Sequence, residues 1–234
     1  PTVAEANEWK DAESLFAEAQ AQPAGSETAN LLYVDAALKF QAAARANQHP
    51  GASWYNAGNA WFQSGHLGRS IAAYRQAELY RPFDSKLLEN LAAARALTLN
   101  DIPEVKAWWE RVPAAWLRLL LVGANFVFWG LLLLTIRYRQ TGWVVASVLA
   151  ALVVLGASIT LILSVVDTDR SGVVVVDAVY GKKGPGYQYA NAFHEPLHDG
   201  AEFVLLQTRE RWGLIQLPDA RQCWLPLGQV EQVN

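Results

Sequence analysis

Two long apolar runs near the middle of the chain constrain its fold more than any other feature. Residues 119–136 carry no charged side chain and contain Leu-Leu-Leu-Val and Leu-Leu-Leu-Leu blocks, and residues 143–166 form a second, longer uncharged run. About 20 apolar residues suffice for a helix to cross a hydrocarbon core of about 30 Å. The sequence therefore predicts two spans, over 117–137 and 143–166. They are joined only by Arg137-Tyr138-Arg139-Gln140-Thr141-Gly142. A link that short predicts an antiparallel hairpin, with the segments before and after it on one side of the membrane. The mean hydropathy of the whole chain is near zero because two water-facing blocks offset this hairpin.

Charge gives the expected side. The link, whose centre is the loop 138–142, holds two arginines and no acid. Arginines in short loops favour the cytoplasm, which places both flanks outside it, although Lys106, Arg111 and Arg118 near the other end of the first span reduce the asymmetry. Trp108, Trp109, Trp116 and Trp143 sit near the predicted span ends, where an interfacial aromatic belt belongs. Residues 101–116 read as a juxtamembrane segment lying along the outer interface. An outward N-terminal block has to be translocated. The chain has no Met, and nothing in residues 1–20 looks like a charged n-region followed by an apolar h-region. A cleaved export signal is thus the expected account of the start at Pro1, with trimming of a Met before Pro1 as the other.

Lys+Arg against Asp+Glu is 10 to 13 in residues 1–113, 4 to 2 in 114–170 and 5 to 7 in 171–234. The absence of a strongly basic block argues against a nucleic-acid partner. A single Cys excludes an intramolecular disulfide framework and a multi-Cys metal site. Within the spans, Ala146, Ala150, Val153 and Ala157 form a stripe at helical spacing, and Gly123, Val127 and Gly130 another. Small residues let membrane helices approach closely. Asn125 is the strongly polar side chain of the first span. It reads as an interhelical hydrogen-bonding group rather than as part of a transport path, since two spans without an ionisable relay make no usual pathway.

The N-terminal block, 1–100, reads as helical. Residues 4–20 are rich in Ala and Glu, and Gln22-Pro23-Ala24-Gly25-Ser26 breaks the pattern. Residues 31–46 form a second helix, ending before Asn47-Gln48-His49-Pro50-Gly51. Next, Trp54, Ala57, Gly58 and Trp61 share one helical face, Gly65 and Gly68 mark a turn, Tyr74 and Ala77 lie on another helix, and Pro82 ends it. That spacing is the pattern of a tetratricopeptide repeat of about 34 residues. Residues 51–84 fit one unit, with Ser70 where Ala is usual and Trp61 where Tyr is usual. One period earlier, Ala36, Phe40 and Ala43 fall at second-helix positions. One period later, Leu88, Leu91 and Ala92 fall at first-helix positions, so residues 85–100 read as a capping helix. Turning about 100° from the packing face of the middle first helix leaves Tyr55, Asn59, Phe62 and Gln63 as candidates for a partner-binding groove. Two readings stay open for these four: a groove for a partner's segment, or plain surface in contact with neighbouring helices.

Residues 167–234 read as β-structure. Residues 173–176 are a β-branched run, Gly181-Lys182-Lys183-Gly184-Pro185-Gly186 is a turn-rich loop, and 203–207, 212–217 and 223–225 are further strands. About five short strands with one long early loop fit an SH3-like barrel. His194-Glu195-Pro196-Leu197-His198 matches the H-E-x-x-H pattern of zinc peptidases, which requires a helix. Pro196 disfavours helix at Glu195 and Asp199-Gly200 follows as a turn, so the match reads as a loop coincidence, with no metal expected. The Gly/Lys loop lacks G-K-[ST] and reads as structural. Tyr187, Tyr189, Phe193 and Trp212 are candidates for an SH3 ligand groove, together with Tyr180 and Trp224, although several must be core in so small a barrel. Cys223 reads as a small buried residue.

The run WYNAGNAWFQSGHLGRSIAAYRQAELYRPFDSKLLENLAAAR, followed by a Trp-Trp stretch, a two-helix hairpin and the order GVVV…GKKGPGYQY…LHDGAEFVLL…RWGLIQL…CWLP, is similar to the BatE-type proteins of bacterial aerotolerance (Bat) operons, whose C-terminal part is a bacterial SH3 domain. The similarity is best over 51–95 and 172–226. It implies a multidomain protein of the bacterial inner membrane: a tetratricopeptide-repeat α-domain, a transmembrane α-hairpin and an all-β SH3-like barrel, with both domains periplasmic. It also implies partners: von Willebrand factor A-domain membrane proteins and, indirectly, a MoxR-type AAA+ ATPase. The expectation is a non-enzymatic scaffold without cofactor, in a hetero-oligomer linked to envelope integrity or stress tolerance. The alternative is a cell-wall sensor whose SH3 domain binds peptidoglycan peptides.

Overall fold

The computed structural model describes residues 8–99, 114–138, 141–168 and 171–233. Trp108, Trp109, the rest of 101–113, Arg139 and the side chain of Trp116, on which the interfacial-segment and loop readings rest, lie outside the described residues. The chain divides into two compact units, Pro1–Val105 with Arg170–Asn234, and Lys106–Asp169. The central segment is thus an insertion between two stretches that build one body.

In that body, α1 (Glu8–Ala21), α2 (Glu27–Arg45), α3 (Pro50–Gln63), α4 (Leu67–Tyr80) and α5 (Ser85–Ala96) pack each against the next. Helix α2 begins four residues before the expected start because the Ser26 side chain accepts from Ala29 N at 3.2 Å, capping the first turn. Pro50 opens α3 at a position where its missing N–H costs nothing. Gly65 at φ 81° closes α3, and Asp84 caps α5 by accepting from Lys86 N and Leu87 N. Two cores follow. Ala12, Ala36, Phe40, Ala57, Ala60, Trp61 and Ala73 knit α1 to α4, and Ile71, Tyr74, Leu87 and Leu91 join α4 to α5. The small residues set the helix spacing: a Cβ on Gly58 would run into the Tyr74 ring.

After the insertion, β1 (Ser171–Val174), β2 (Ala178–Val179), β3 (Leu197–His198), β4 (Glu202–Arg209), β5 (Trp212–Gln216), β6 (Gln222–Pro226) and β7 (Val230–Val233) follow in order. Five form an antiparallel sheet in the order β6-β5-β4-β1-β7, and β2 pairs with β3. The inner faces bury Val174, Phe203, Ile215, Leu217, Cys223 and Leu225. Burial pushes the Cys223 thiol up to about 12.

The sheet does not stand apart from the helices. Val173 of β1 belongs to the same buried cluster as Ile71 and Leu87, and α4 packs on both β1 and β7. Gly68, which the repeat pattern puts in the turn, lies instead in the first turn of α4. A Cβ there would strike Asp199 and the Val174 carbonyl, so close approach of the sheet is what this position requires.

The second unit consists of α6 (Ala114–Tyr138) and α7 (Thr141–Thr168), packed along each other. Leu119–Tyr138 and Thr141–Ile159 are long and apolar enough to cross a membrane, each with mean hydropathy 2.3. The seam is closed by Ala157 and Ser147, both buried, and the Ser147 and Thr135 hydroxyls meet at 3.2 Å. Ala146 and Ala150 are both half-buried, whereas Val153 is 49% exposed, so the expected stripe serves the seam only in part. A methyl added to Gly123 or Gly130 would meet no atom within 4 Å, so neither glycine serves the α6–α7 contact. Asn125 is also exposed; among the described residues, the polar pair within the hairpin is Thr135 with Ser147.

Candidate interaction surfaces

The four groove candidates lie on α3, but their polar atoms are largely engaged within the protein. Tyr74 donates its hydroxyl to Asn59 Oδ1 at 2.8 Å, and Asn90 Nδ2 of α5 donates to the same oxygen at 3.0 Å and to the Tyr55 hydroxyl at 3.1 Å. Tyr55 and Phe62 pack on the core formed by Ile71, Tyr74 and Leu91. The Arg81 guanidinium sits over the Tyr55 ring at 5.1 Å. Burial pushes the Tyr74 hydroxyl well above its ordinary value, so it remains a proton donor to Asn59. These contacts order the α3–α5 face. Gln63 is exposed at its end, and of the four it is the side chain most available to another molecule.

On the sheet, the four aromatic candidates divide. Trp212 is buried and receives the edge of Tyr187 at a centroid distance of 4.9 Å, while Tyr187 itself is 72% exposed. Phe193 packs on the sheet core beneath the Arg221 guanidinium at 4.7 Å. Tyr189 is half-exposed, and its ring lies where a Cβ on Gly184 would have to go. Tyr180 is exposed and Trp224 is buried beneath Arg209. The surface thus presents three tyrosines, Tyr180, Tyr187 and Tyr189, with Trp212 and Trp224 buried.

The Gly/Lys loop that carries Tyr180, Tyr187 and Tyr189 is held by main-chain pairing of Lys182 with Trp224 and by Lys182 Nζ donating to Asn191 Oδ1 at 2.7 Å. His194 and Glu195 lie in a bend, and His198 lies on β3 with Nδ1 3.0 Å from the Asp177 carbonyl. The segment is not helical, so a helical turn does not bring the two imidazoles together.

Sequence reasoning misses the contact between helices and sheet. Arg95 of α5 clasps Glu202 of β4 with two charge-assisted hydrogen bonds of 2.6 and 2.8 Å, and Arg75 Nε stands 3.6 Å from the same carboxylate. Gly68 N donates to Asp199 Oδ2 at 2.9 Å. Burial raises the Asp199 pKa while this bond opposes the rise. Gln76 reaches the Gln232 carbonyl at 3.3 Å. Beside these contacts a cavity of about 610 Å³ is lined by Arg45, Trp54, Gln76, Tyr80, Val230 and Glu231, among others. Burial raises the Glu231 pKa, with Arg69 and Arg45 acting against it. No periodicity signals such a junction, because its residues come from stretches more than 100 positions apart.

Compared with protein-family models, curated proteins and solved structures, the chain matches none.

Proposed function

We propose that this chain is a non-catalytic membrane adaptor. Its helical pairs are tetratricopeptide-type repeats, its sheet is an SH3-like barrel, and the α6–α7 hairpin anchors both in the bacterial inner membrane, with the folded body on the periplasmic side. One observation carries the reading: the helices before the hairpin and the sheet after it close on each other through Val173, Gly68–Asp199 and Arg95–Glu202. Two stretches that form one body lie on one side of the membrane. The arginines of the link then favour the outer side. Such a body presents two separate surfaces, around Gln63 and around Tyr187, and two weak contacts on one tether give avidity beyond either alone. The resemblance to BatE-type proteins supplies the partner class: von Willebrand factor A-domain membrane proteins, with a MoxR-type ATPase reached through them, in a role in envelope integrity or stress tolerance.

The test is co-purification of the tagged full chain from native membranes in mild detergent. The adaptor reading expects von Willebrand factor A-domain proteins in stoichiometric amounts, and a several-fold lower recovery for the double variant Gln63→Arg, Tyr187→Ala at unchanged thermal stability. Tyr55 and Asn59 are poor test positions because their hydrogen bonds order α5. Recovery undiminished by the double variant would remove both surfaces from the account.

A cell-wall sensor is the second reading, favoured by the Tyr187 ring presented on Trp212. It expects the full chain to sediment with purified sacculi and to lose that property when Tyr187 and Tyr189 become Ala. Failure of the unaltered chain to sediment would count against it.

A further inference from the structure

The five-stranded sheet has two edges, and they differ. At the β6 edge the Gly/Lys loop pairs with the strand in both directions: Lys182 N donates to the Trp224 carbonyl at 2.9 Å and Trp224 N to the Lys182 carbonyl at 2.8 Å. At the β7 edge the register decides which groups are left over. Val173 lies opposite Glu231 and Ser171 opposite Val233, and Val175 N donates to the Gln229 carbonyl, so residues 229, 231 and 233 turn their main-chain groups toward β1. Successive residues of an antiparallel ladder alternate in direction, which turns the Val230 carbonyl and both main-chain groups of Gln232 away from the sheet. Gln76 Nε2 reaches the Gln232 carbonyl at 3.3 Å. The Val230 carbonyl and the Gln232 N–H have no partner among the described residues.

The cavity of about 610 Å³ adjoins this edge. Val230, Glu231 and Gln232 line it from the sheet, and Arg45, Trp54 and Gln76 from the helices. Its volume is that of an ordinary ligand site, and the strand beside it is four residues long, about 13 Å. Arg45, exposed in the last turn of α2, holds its guanidinium 5.9 Å over the Trp54 ring and makes no ion pair among the described residues. Glu231, the acid of the lining, has Arg69 as well as Arg45 acting on it. Two guanidinium groups thus bear on one carboxylate, which leaves Arg45 able to take another. The cavity shares no lining residue with the surfaces around Gln63 and Tyr187.

We infer that β7 receives an extended segment of a partner protein as a further strand, with an acidic side chain of that segment against Arg45. The acceptor at Val230 and the donor at Gln232 flank Glu231, so one residue of an extended chain satisfies both, its N–H donating to the Val230 carbonyl and its own carbonyl accepting from the Gln232 N–H. The Gln76 bond stays in place, because that residue does not use the Gln232 carbonyl. In strand addition the main-chain bonds supply affinity and the flanking side-chain sites supply selectivity, and Arg45 is the charged group the helices bring to this site. The β6 edge offers no such place at Trp224, where Lys182 already holds both main-chain groups. This goes beyond the adaptor reading and uses neither of its two surfaces, so each fails or stands by its own test.

The experiment selects phage-displayed random eight-residue peptides on the full chain in mild detergent, then measures the affinity of the synthesised winners by fluorescence anisotropy. The expected winners carry Asp or Glu between β-branched residues. Methylating their amides one at a time should abolish binding at alternate positions only, the period of a strand bonded along one edge, and this readout leaves the protein unaltered. Arg45→Gln should weaken binding about fivefold at unchanged thermal stability, whereas the double variant Gln63→Arg, Tyr187→Ala should bind as the unaltered chain does. The inference is overturned if no peptide is recovered, if methylation shows no alternation, or if Arg45→Gln binds the winners undiminished. Loss of binding in the Gln63→Arg, Tyr187→Ala variant instead would overturn it as well, and would place the peptide on the adaptor surfaces.

Discussion

Gly58 illustrates how much of this fold rests on single atoms. It lies where the Tyr74 ring crosses α3, and that ring cannot swing away without breaking its hydroxyl bond to Asn59. Gly58→Ala gains helix propensity worth up to about 1 kcal/mol but overpacks the crossing by about 1–3 kcal/mol. Thermal unfolding followed by tryptophan fluorescence should report a net loss of roughly 1–2 kcal/mol. Glu231 gives a prediction in pH. Burial raises its folded-state pKa, so the stabilisation linked to its proton is fully present below its ordinary pKa and is lost as pH rises through the raised one. Glu231→Gln should therefore be at least as stable as the unaltered chain at neutral pH, and the difference should close as the pH falls toward the ordinary carboxylate range. A difference that widened toward acid would contradict the sign. Residues of this kind are partly legible in the sequence. Gly58 and Tyr74 stand out by their repeat spacing, whereas nothing around Glu231, in a polar Val-Glu-Gln-Val stretch, announces a half-buried carboxylate.

At the scale of elements, periodicity is informative where one face of an element meets a local neighbour. The helices α3 and α4, the two apolar spans and strands β4, β5 and β6 are all readable, since each buries a stripe or an alternate face against an adjacent element. Strand β7 is not: its partner β1 lies about 60 residues earlier, and its alternation of Val with Glu and Gln resembles a polar tail. The groove reading of α3 meets the same limit. Periodicity gives the offset of Tyr55, Asn59 and Phe62 from the packing face, but α5 supplies Asn90 to that side, and only the tertiary structure places it. The contact between α5 and β4 yields its own prediction. A two-toothed Arg–carboxylate pair is stronger than a simple surface ion pair, yet Arg95 is more than a third exposed, which limits its worth to about 1 kcal/mol. A double-mutant cycle of Arg95→Ala and Glu202→Gln should return a coupling of that size. A value near zero would leave Val173 and the Gly68–Asp199 bond as the junction.

For the whole molecule, the two apolar helices are an insertion in a body built from stretches on both sides of them. Folding of that body requires residues before and after the hairpin to reach the same compartment, so the topology of the membrane segment and the fold of the water-facing part are one constraint. Labelling can read that constraint directly, because the one native thiol, Cys223, is buried and its pKa is pushed up to about 12, which keeps the background silent. Single cysteines replacing exposed Gln63, exposed Tyr187 and Tyr138 at the end of α6 sample the helices, the sheet and the link. The decisive measurement is reaction of each with a membrane-impermeant maleimide in cells whose outer membrane alone has been opened. The account predicts that Gln63→Cys and Tyr187→Cys label to similar extents, and that Tyr138→Cys labels only after the inner membrane is broken. Labelling of Tyr138→Cys alone would put the body in the cytoplasm, and labelling of only one of the other two would contradict a single body on one side of the membrane.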